Sequence, residues 1–268
     1  MSADRTREWR PKLELRLFWT ALRFYTRLPA PAWVGHSDAW LRRSTRYLPA
    51  VGWVVGGVVA GVMAGAGRLW PGPVAVVLGL AAGVWLTGGL HEDGLADVCD
   101  GFGAGGSRQR VLDIMKDSRV GVYAILGLVL LFGVKITALS ALLETAGGMG
   151  LGGVVWAQVV SRWCLLTIIW RGHYARDNAS GKSRAIAQPL SVSQLAAATV
   201  WLLPGAAWAW WRPWWLLSGV VALVLSSVLA HWFKRRLGGY TGDCLGAAQQ
   251  LTETAVYLTL LALAGAGL

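Results

Sequence analysis

The chain has 268 residues, of which 55% are apolar and only 15% charged, where a soluble globular domain carries about 25% charged. Glycine stands at 35 positions, tryptophan at 17, and the formal net charge is +11. These figures exclude a disordered chain, set aside an ordinary soluble domain and describe a polytopic membrane protein.

In chain order, residues 13–28 mix Leu, Phe and Trp with Arg16, Arg23 and Arg27, the pattern of an amphipathic helix lying in the membrane interface. Apolar runs able to cross about 30 Å of hydrocarbon follow at 48–67, 74–90, 120–143, 151–170, 195–211, 214–233 and 251–267. The second, fifth and seventh are short and need tilt or a thin membrane. The expected fold is all-α: a membrane helix bundle of seven transmembrane helices plus the N-terminal interfacial helix. Residues 1–47 form a basic leading segment, and 48–268 a single transmembrane unit with polar loops at 91–119 and 234–250. The first long apolar run starts too late for a cleavable signal peptide. Cys99, Cys164 and Cys244 are odd in number and show neither a disulfide framework nor metal-ligand spacing.

The basic residues alternate with these runs. Twenty-one of the 25 Lys and Arg fall before the first run or after the second, fourth and sixth. Arg68 and Arg212 alone fall on the other side, while Lys135 and Arg162 lie inside runs. This places the N-terminus and the polar loops in the cytoplasm. It also accounts for the positive charge without nucleic acid, since no basic stretch is interleaved with base-stacking aromatics. Lys135 is expected to snorkel outward, whereas Arg162 needs a partner or a wet cavity. Gly52 with Gly56, and Gly57, Gly61 and Gly65, have the small-residue spacing of close helix packing. Trp33, Trp40, Trp70, Trp156, Trp211, Trp214 and Trp215 read as interfacial anchors.

The acids are concentrated. Of 14 Asp and Glu, six fall between His91 and Ser118: Glu92, Asp93, Asp97, Asp100, Asp113 and Asp117. Asp93, Asp97 and Asp100 share one helix face, and Asp113 and Asp117 share another. Gly101–Gly106 (GFGAGG) breaks the chain between them. Crowded carboxylates repel one another unless a cation neutralises them. An oxygen-only donor set favours Mg²⁺ or Mn²⁺ over zinc, with His91 the one nitrogen nearby. The alternative is a solvated acidic face. Lys116 and Arg119 beside Asp117 supply the cations a diphosphate needs. Asp243, in a Gly-flanked turn, is either a helix N-cap or part of the site, and Glu253 opens the last run.

These residues resemble the cobalamin synthase (adenosylcobinamide-GDP ribazoletransferase) family. The likeness runs from about residue 18 to the end through Phe24-Tyr25-Thr26-Arg27-Leu28-Pro29, Leu48-Pro49-Ala50-Val51-Gly52 with Gly56, and Thr87-Gly88-Gly89-Leu90-His91-Glu92-Asp93-Gly94-Leu95-Ala96-Asp97 with Asp100-Gly101. It continues through Ile114-Met115-Lys116-Asp117-Ser118-Arg119 with Gly121 and Tyr240-Thr241-Gly242-Asp243-Cys244-Leu245-Gly246-Ala247. Glu92 stands where the family pattern is apolar, a departure of little expected consequence. The resemblance implies a Mg²⁺-dependent transferase of the bacterial inner membrane. The 5′-hydroxyl of α-ribazole, or of its 5′-phosphate, attacks adenosylcobinamide-GDP, GMP leaves, and adenosylcobalamin or its phosphate forms. Other cobalamin-assembly enzymes are the implied neighbours.

On that reading Asp93, Asp97, Asp100 and Asp113 hold one or two Mg²⁺, and Asp97 and Asp117 are catalytic, Asp117 as ligand or general base. His91, Lys116, Arg119, Arg162, Asp243 and Arg27 contact substrate. A weaker resemblance is to the CDP-alcohol phosphotransferases, through Asp97, Asp100, Gly101 and Ala104, although Gly105 stands where they carry Arg. A transporter is the rival of another class, but the acids cluster in loops and no inverted repeat is visible.

Overall fold

The computed structural model describes residues 10–176, 188–208 and 215–267. Its helices are α1 (Arg10–Tyr25), α2 (Asp38–Ser44), α3 (Leu48–Ala66), α4 (Gly72–Thr87), α5 (Leu90–Ala104), α6 (Arg108–Ile114), α7 (Val122–Ala146), α8 (Gly148–Arg171), α9 (Val192–Thr199), α10 (Leu203–Ala207), α11 (Trp215–Leu237) and α12 (Gly242–Gly265). Among the described residues there is no strand, only an isolated bridge between Tyr174 and Tyr240. Proline and glycine set the boundaries. Pro49, Pro73 and Pro204 occupy first turns, where a missing N–H costs nothing. Gly88 and Gly89 both take positive φ, 69° and 70°, which ends α4 and swings the chain by 91° into α5.

Among the described residues, Asp38–Ala66, Val122–Ala146, Gly148–Arg171 and Trp215–Leu237 are long and apolar enough to cross a membrane; α4 with α5 makes a fifth if a bent pair counts as one span. The protein is thus an all-α, multi-pass bundle, but the count of seven is not confirmed. The run expected at 195–211 is a shorter apolar helix interrupted by a 3₁₀ turn at Val200–Leu202, and its end lies outside the described residues. The run at 251–267 is the second part of α12, so Glu253 lies in mid-helix and does not open it. This helix packs against α5, α7, α8 and α11. Its polar groups therefore meet protein instead of lipid. Helix α5 carries Glu92, Asp93, Asp97 and Asp100 and departs from the axis of α4 by 91°.

Helix contacts follow the glycines only in part. A Cβ on Gly52 would lie 2.5 Å from the Gln158 carbonyl oxygen, and one on Gly56 would lie 2.7 Å from Val155 Cα, so α3 and α8 touch backbone to backbone. A Cβ on Gly57, Gly61 or Gly65 would meet nothing within 4 Å among the described residues, so that second glycine row makes no helix contact there. Two expected anchors are core residues. Trp156 is buried, donates to Ser218 Oγ at 3.1 Å and lies over Gly205, while Trp215 is buried beside it. Trp33 and Trp70 are exposed, and Trp211 and Trp214 lie outside the described residues.

The basic loops converge on one end of the bundle. Arg108 donates to the carbonyls of Leu237 (2.7 Å) and Ala175 (2.5 Å). Arg176 pairs with Asp243 at 2.8 Å, and the backbone N–H of Arg27 donates to Leu86 at 2.7 Å. The segment before α3, the α5–α7 region, the strip after α8 and the α11–α12 turn therefore share a side, as the charge alternation requires.

Inside the bundle is a second polar group. Lys135 does not snorkel: it is buried, 2.8 Å from Glu253 Oε1 and 2.6 Å from Gln250 Oε1. The polar face of α12 gives it a partner closer than the interface. Arg162 is buried in the same region and donates to Gln158. Gln250 in turn donates to Glu92 at 2.9 Å. Glu92 thus links α5 to this network and is not the inconsequential departure expected.

Candidate active site

The site is built where α5 crosses the start of α12. One helical turn separates Asp93 from Asp97, so both look the same way. The crossing is tight because glycine meets glycine. A Cβ on Gly94 would lie 2.9 Å from the Asp243 carbonyl oxygen, and one on Gly246 would lie 3.0 Å from that of His91. Thr241, not Asp243, caps α12: its Oγ1 accepts from Cys244 N at 3.2 Å. Asp243 is freed for the site and accepts from Arg176 at 2.8 Å.

Charge is crowded here. Burial and then the carboxylates of Asp243 and Asp93 push Asp97 up to about 7. Burial also raises Asp243, with Arg176 pulling it back. Asp93 is exposed, Asp97 half-buried. Three carboxylates from two helices thus act on one another, with Arg176 paired to Asp243.

The other predicted acids are placed differently. Asp100 accepts from the backbone N–H of Gly121 (2.6 Å) and Ala124 (2.9 Å), which caps the start of α7. Those two donors engage one lone pair on each carboxylate oxygen. Its charge still reaches Asp97. Asp113 is exposed on α6 and accepts from Gln109 at 2.8 Å. Asp117 is held at about 2 by hydrogen bonds from the Arg119 side chain and backbone. That local pair closes on itself. The expected convergence of five carboxylates from two helices is replaced by Asp93 and Asp97 with Asp243 from the far end of the sequence. Lys116 and Arg119 are exposed on the strip after α6, and Arg162 lies in the interior network.

Two cavities adjoin the carboxylates. One, of about 840 Å³, lies between α1 and the α4–α5 turn, with Arg23, Arg27 and His36 on its walls together with Glu92 and Asp93. The exposed Arg27 side chain has no hydrogen-bond or ion-pair partner among the described residues. Gly88 leaves room for it, since a Cβ there would come within 3.2 Å of Arg27 Nε. Another cavity, of about 170 Å³, lies on the bundle side and is lined by His91, Asp93 and Asp243 among apolar residues.

As the side chains stand, no three His, Cys, Asp or Glu groups among the described residues are placed to hold a metal ion together. The donor chemistry of Asp93, Asp97 and Asp243 nevertheless suits a hard cation such as Mg²⁺. Sequence reasoning treated Arg176 only as a loop charge and missed its role on Asp243. Gln249, Gln250 and Glu253 carried a usable signal: polar groups clustered within an otherwise apolar C-terminal stretch.

The capping of α7 makes a separable prediction. Asp100→Ala should lower stability by about 1 kcal/mol, the scale of a lost cap, and reduce activity far less than loss of Asp97. Thermal unfolding and initial rates measured on the same preparation check it. An unchanged melting temperature with abolished turnover would instead make Asp100 part of the reacting centre.

A carboxylate cluster at the face of an all-α membrane bundle, with a large cavity and an unpaired arginine beside it, is the layout of a membrane enzyme acting on an anionic substrate. The chain belongs to the cobalamin-5-phosphate synthase family, whose pattern matches residues 17–261. It is 49% identical to the adenosylcobinamide-GDP ribazoletransferase of Leptothrix cholodnii, over 93% of this chain and 96% of that one. It is 42% identical to that of Shewanella amazonensis (94% and 97% covered) and 36% identical to that of Vibrio cholerae (94% and 95%). No solved structure matches it.

Proposed function

We propose that this protein joins adenosylcobinamide-GDP to α-ribazole or its 5′-phosphate, releasing GMP and forming adenosylcobalamin or its 5′-phosphate. The observation that carries this reading is that relatives bearing the ribazoletransferase name match nearly the whole chain, including the helix that brings Asp93 and Asp97 to Asp243.

In the reaction, the 5′-oxygen forms a bond to the adenosylcobinamide-side phosphorus as the bond to the GMP oxygen breaks. Asp97, whose proton affinity is raised to near neutrality, is suited to take the hydroxyl proton. The large cavity receives the diphosphate, with Arg27 and Arg23 on the phosphoryl oxygens. Arg176 holds Asp243 in place. Mg²⁺, which Asp93 and Asp243 would hold, would neutralise charge on the diphosphate. The excess of Lys and Arg in the loops at the site's end supports a cytoplasmic active site in the bacterial inner membrane.

The test is substrate competition between the two transferase classes. Purified protein in nanodiscs should turn over adenosylcobinamide-GDP with α-ribazole and leave CDP-linked alcohols untouched. Turnover of a CDP-linked substrate in the absence of any corrinoid would move the protein to the CDP-alcohol class.

A further inference from the structure

A third cavity, of about 130 Å³, lies between the end of α8 and the end of α11, and none of the site carboxylates lines it. Its lining includes Arg171, His173, His231 and Lys234 and no Asp or Glu. These four residues are exposed, and their side chains have no hydrogen-bond or ion-pair partner among the described residues. Arg171 lies over the Trp170 ring, 5.4 Å from its centroid. The frame around them is fixed. Arg108 donates to the carbonyls of Leu237 and Ala175, and the backbone N–H of Tyr240 donates to that of His173 at 2.9 Å. Two fixed cations gathered without a counter-charge repel one another, and an anion brought from outside removes that repulsion.

The surroundings set this pocket at the membrane edge. Val221, Val224 and Val228 are exposed and share one face of α11 with His231. At about 1.5 Å per residue, Val221 to His231 covers about 15 Å, half of the roughly 30 Å hydrocarbon core. A lipid tail laid along these valines therefore carries its headgroup to the pocket. Trp170 and Trp232 are exposed at the same two helix ends, where indoles anchor in the interface. Arginine and lysine meet phosphate oxygens through charge-assisted hydrogen bonds. A zwitterionic headgroup would also bring an ammonium, and the lining has no carboxylate to receive it.

We propose that this pocket binds the headgroup of an anionic phospholipid, with Arg171 and Lys234 on its phosphate and its tail along α11. Basic pockets between helix ends on the cytoplasmic side have the chemistry for this. The remaining wall is made by Gly238, Gly239 and Tyr240, which lead into Thr241 and Asp243. The lipid is thus seated against the segment that carries a carboxylate of the site. This binding does not depend on the transfer reaction.

Delipidated wild-type protein in detergent is titrated with phosphatidylglycerol and with phosphatidylcholine of the same tails, and bound lipid is counted by native mass spectrometry. Wild type should bind phosphatidylglycerol at least about tenfold more tightly, from two cations worth about fivefold each near the surface. The double variant Arg171→Gln/Lys234→Gln should lose that preference. Arg42→Gln/Arg43→Gln removes the same charge from α2 and should keep it. Ala230→Trp fills the pocket with its charge intact, should weaken phosphatidylglycerol binding, and decides alone if the double variant does not fold. Equal binding of the two lipids by wild type overturns the proposal. So do equal losses in the two double variants, which would mean attraction to the whole basic surface. Phosphatidylglycerol that stays bound in excess inorganic phosphate supports a lipid site, and its displacement overturns the lipid assignment in favour of free phosphate.

Discussion

Asp97→Asn is expected to lower turnover by about 10³-fold, the scale of a lost general base, while leaving the protein folded. The structure makes these two outcomes separable. Burial and the neighbouring carboxylates of Asp243 and Asp93 raise Asp97 from 3.8 to about 7. A carboxylate whose folded-state value lies above its unfolded value weighs against folding when ionised. That cost is absent below about pH 4, grows as pH rises, and is complete above pH 7. Asparagine removes it. In chelator, Asp97→Asn should therefore match wild type in thermal stability at pH 4 and equal or exceed it at pH 8. A variant that is both inactive and markedly less stable at pH 8 would show that Asp97 holds the fold together and would remove the catalytic assignment.

The second large effect concerns the interior. Lys135 and Arg162 are balanced there by Glu253 and Glu92, two charges against two. Glu253→Gln leaves two cations against one anion in a buried pocket. Breaking a buried pair in this way costs about 3–5 kcal/mol. Lys135→Met should cost a similar amount, leaving Glu253 short of its closest cation. The double variant restores the balance through Arg162 and Glu92, so it should recover a large part of the loss. Unfolding of the four proteins in one detergent forms the cycle. Losses that simply add would mean that the two groups are not energetically coupled. Gln250 donates to Glu92, and Glu92 adjoins Asp93. The single variants should therefore also impair catalysis more than their folded fraction accounts for.

How much of this was legible in the sequence depended on the range of the interaction. The 48–67, 120–143, 151–170 and 214–233 runs match α3, α7, α8 and α11 closely, because a long apolar stretch has few other structures open to it. A helix before the first span was legible at 13–28, where α1 (Arg10–Tyr25) lies, and the α5 carboxylates in their i, i+4 spacing. Partners across the bundle were not. Nothing local shows that Asp100 turns to cap α7, that Asp117 closes on Arg119, or that Asp243 joins Asp93 and Asp97. The last depends on Gly94 and Gly246 meeting, a contact between residues far apart in the chain. Lys135 was misread for the same reason: snorkelling is the default for a lone lysine, and its partner lies on another helix. Helix α12 shows the opposite limit. Hydropathy marks helices that face lipid, and a helix enclosed by other helices is free to carry glutamines and a glutamate.

The account is tested most directly by supplying purified wild-type protein with adenosylcobinamide-GDP and α-ribazole and quantifying GMP and corrinoid product together, in Mg²⁺ and in chelator. The result predicted is one GMP for each corrinoid joined, no release without α-ribazole, loss of product in chelator and recovery on adding Mg²⁺. GMP release that proceeds without α-ribazole, or product formation undiminished by chelation, would contradict it.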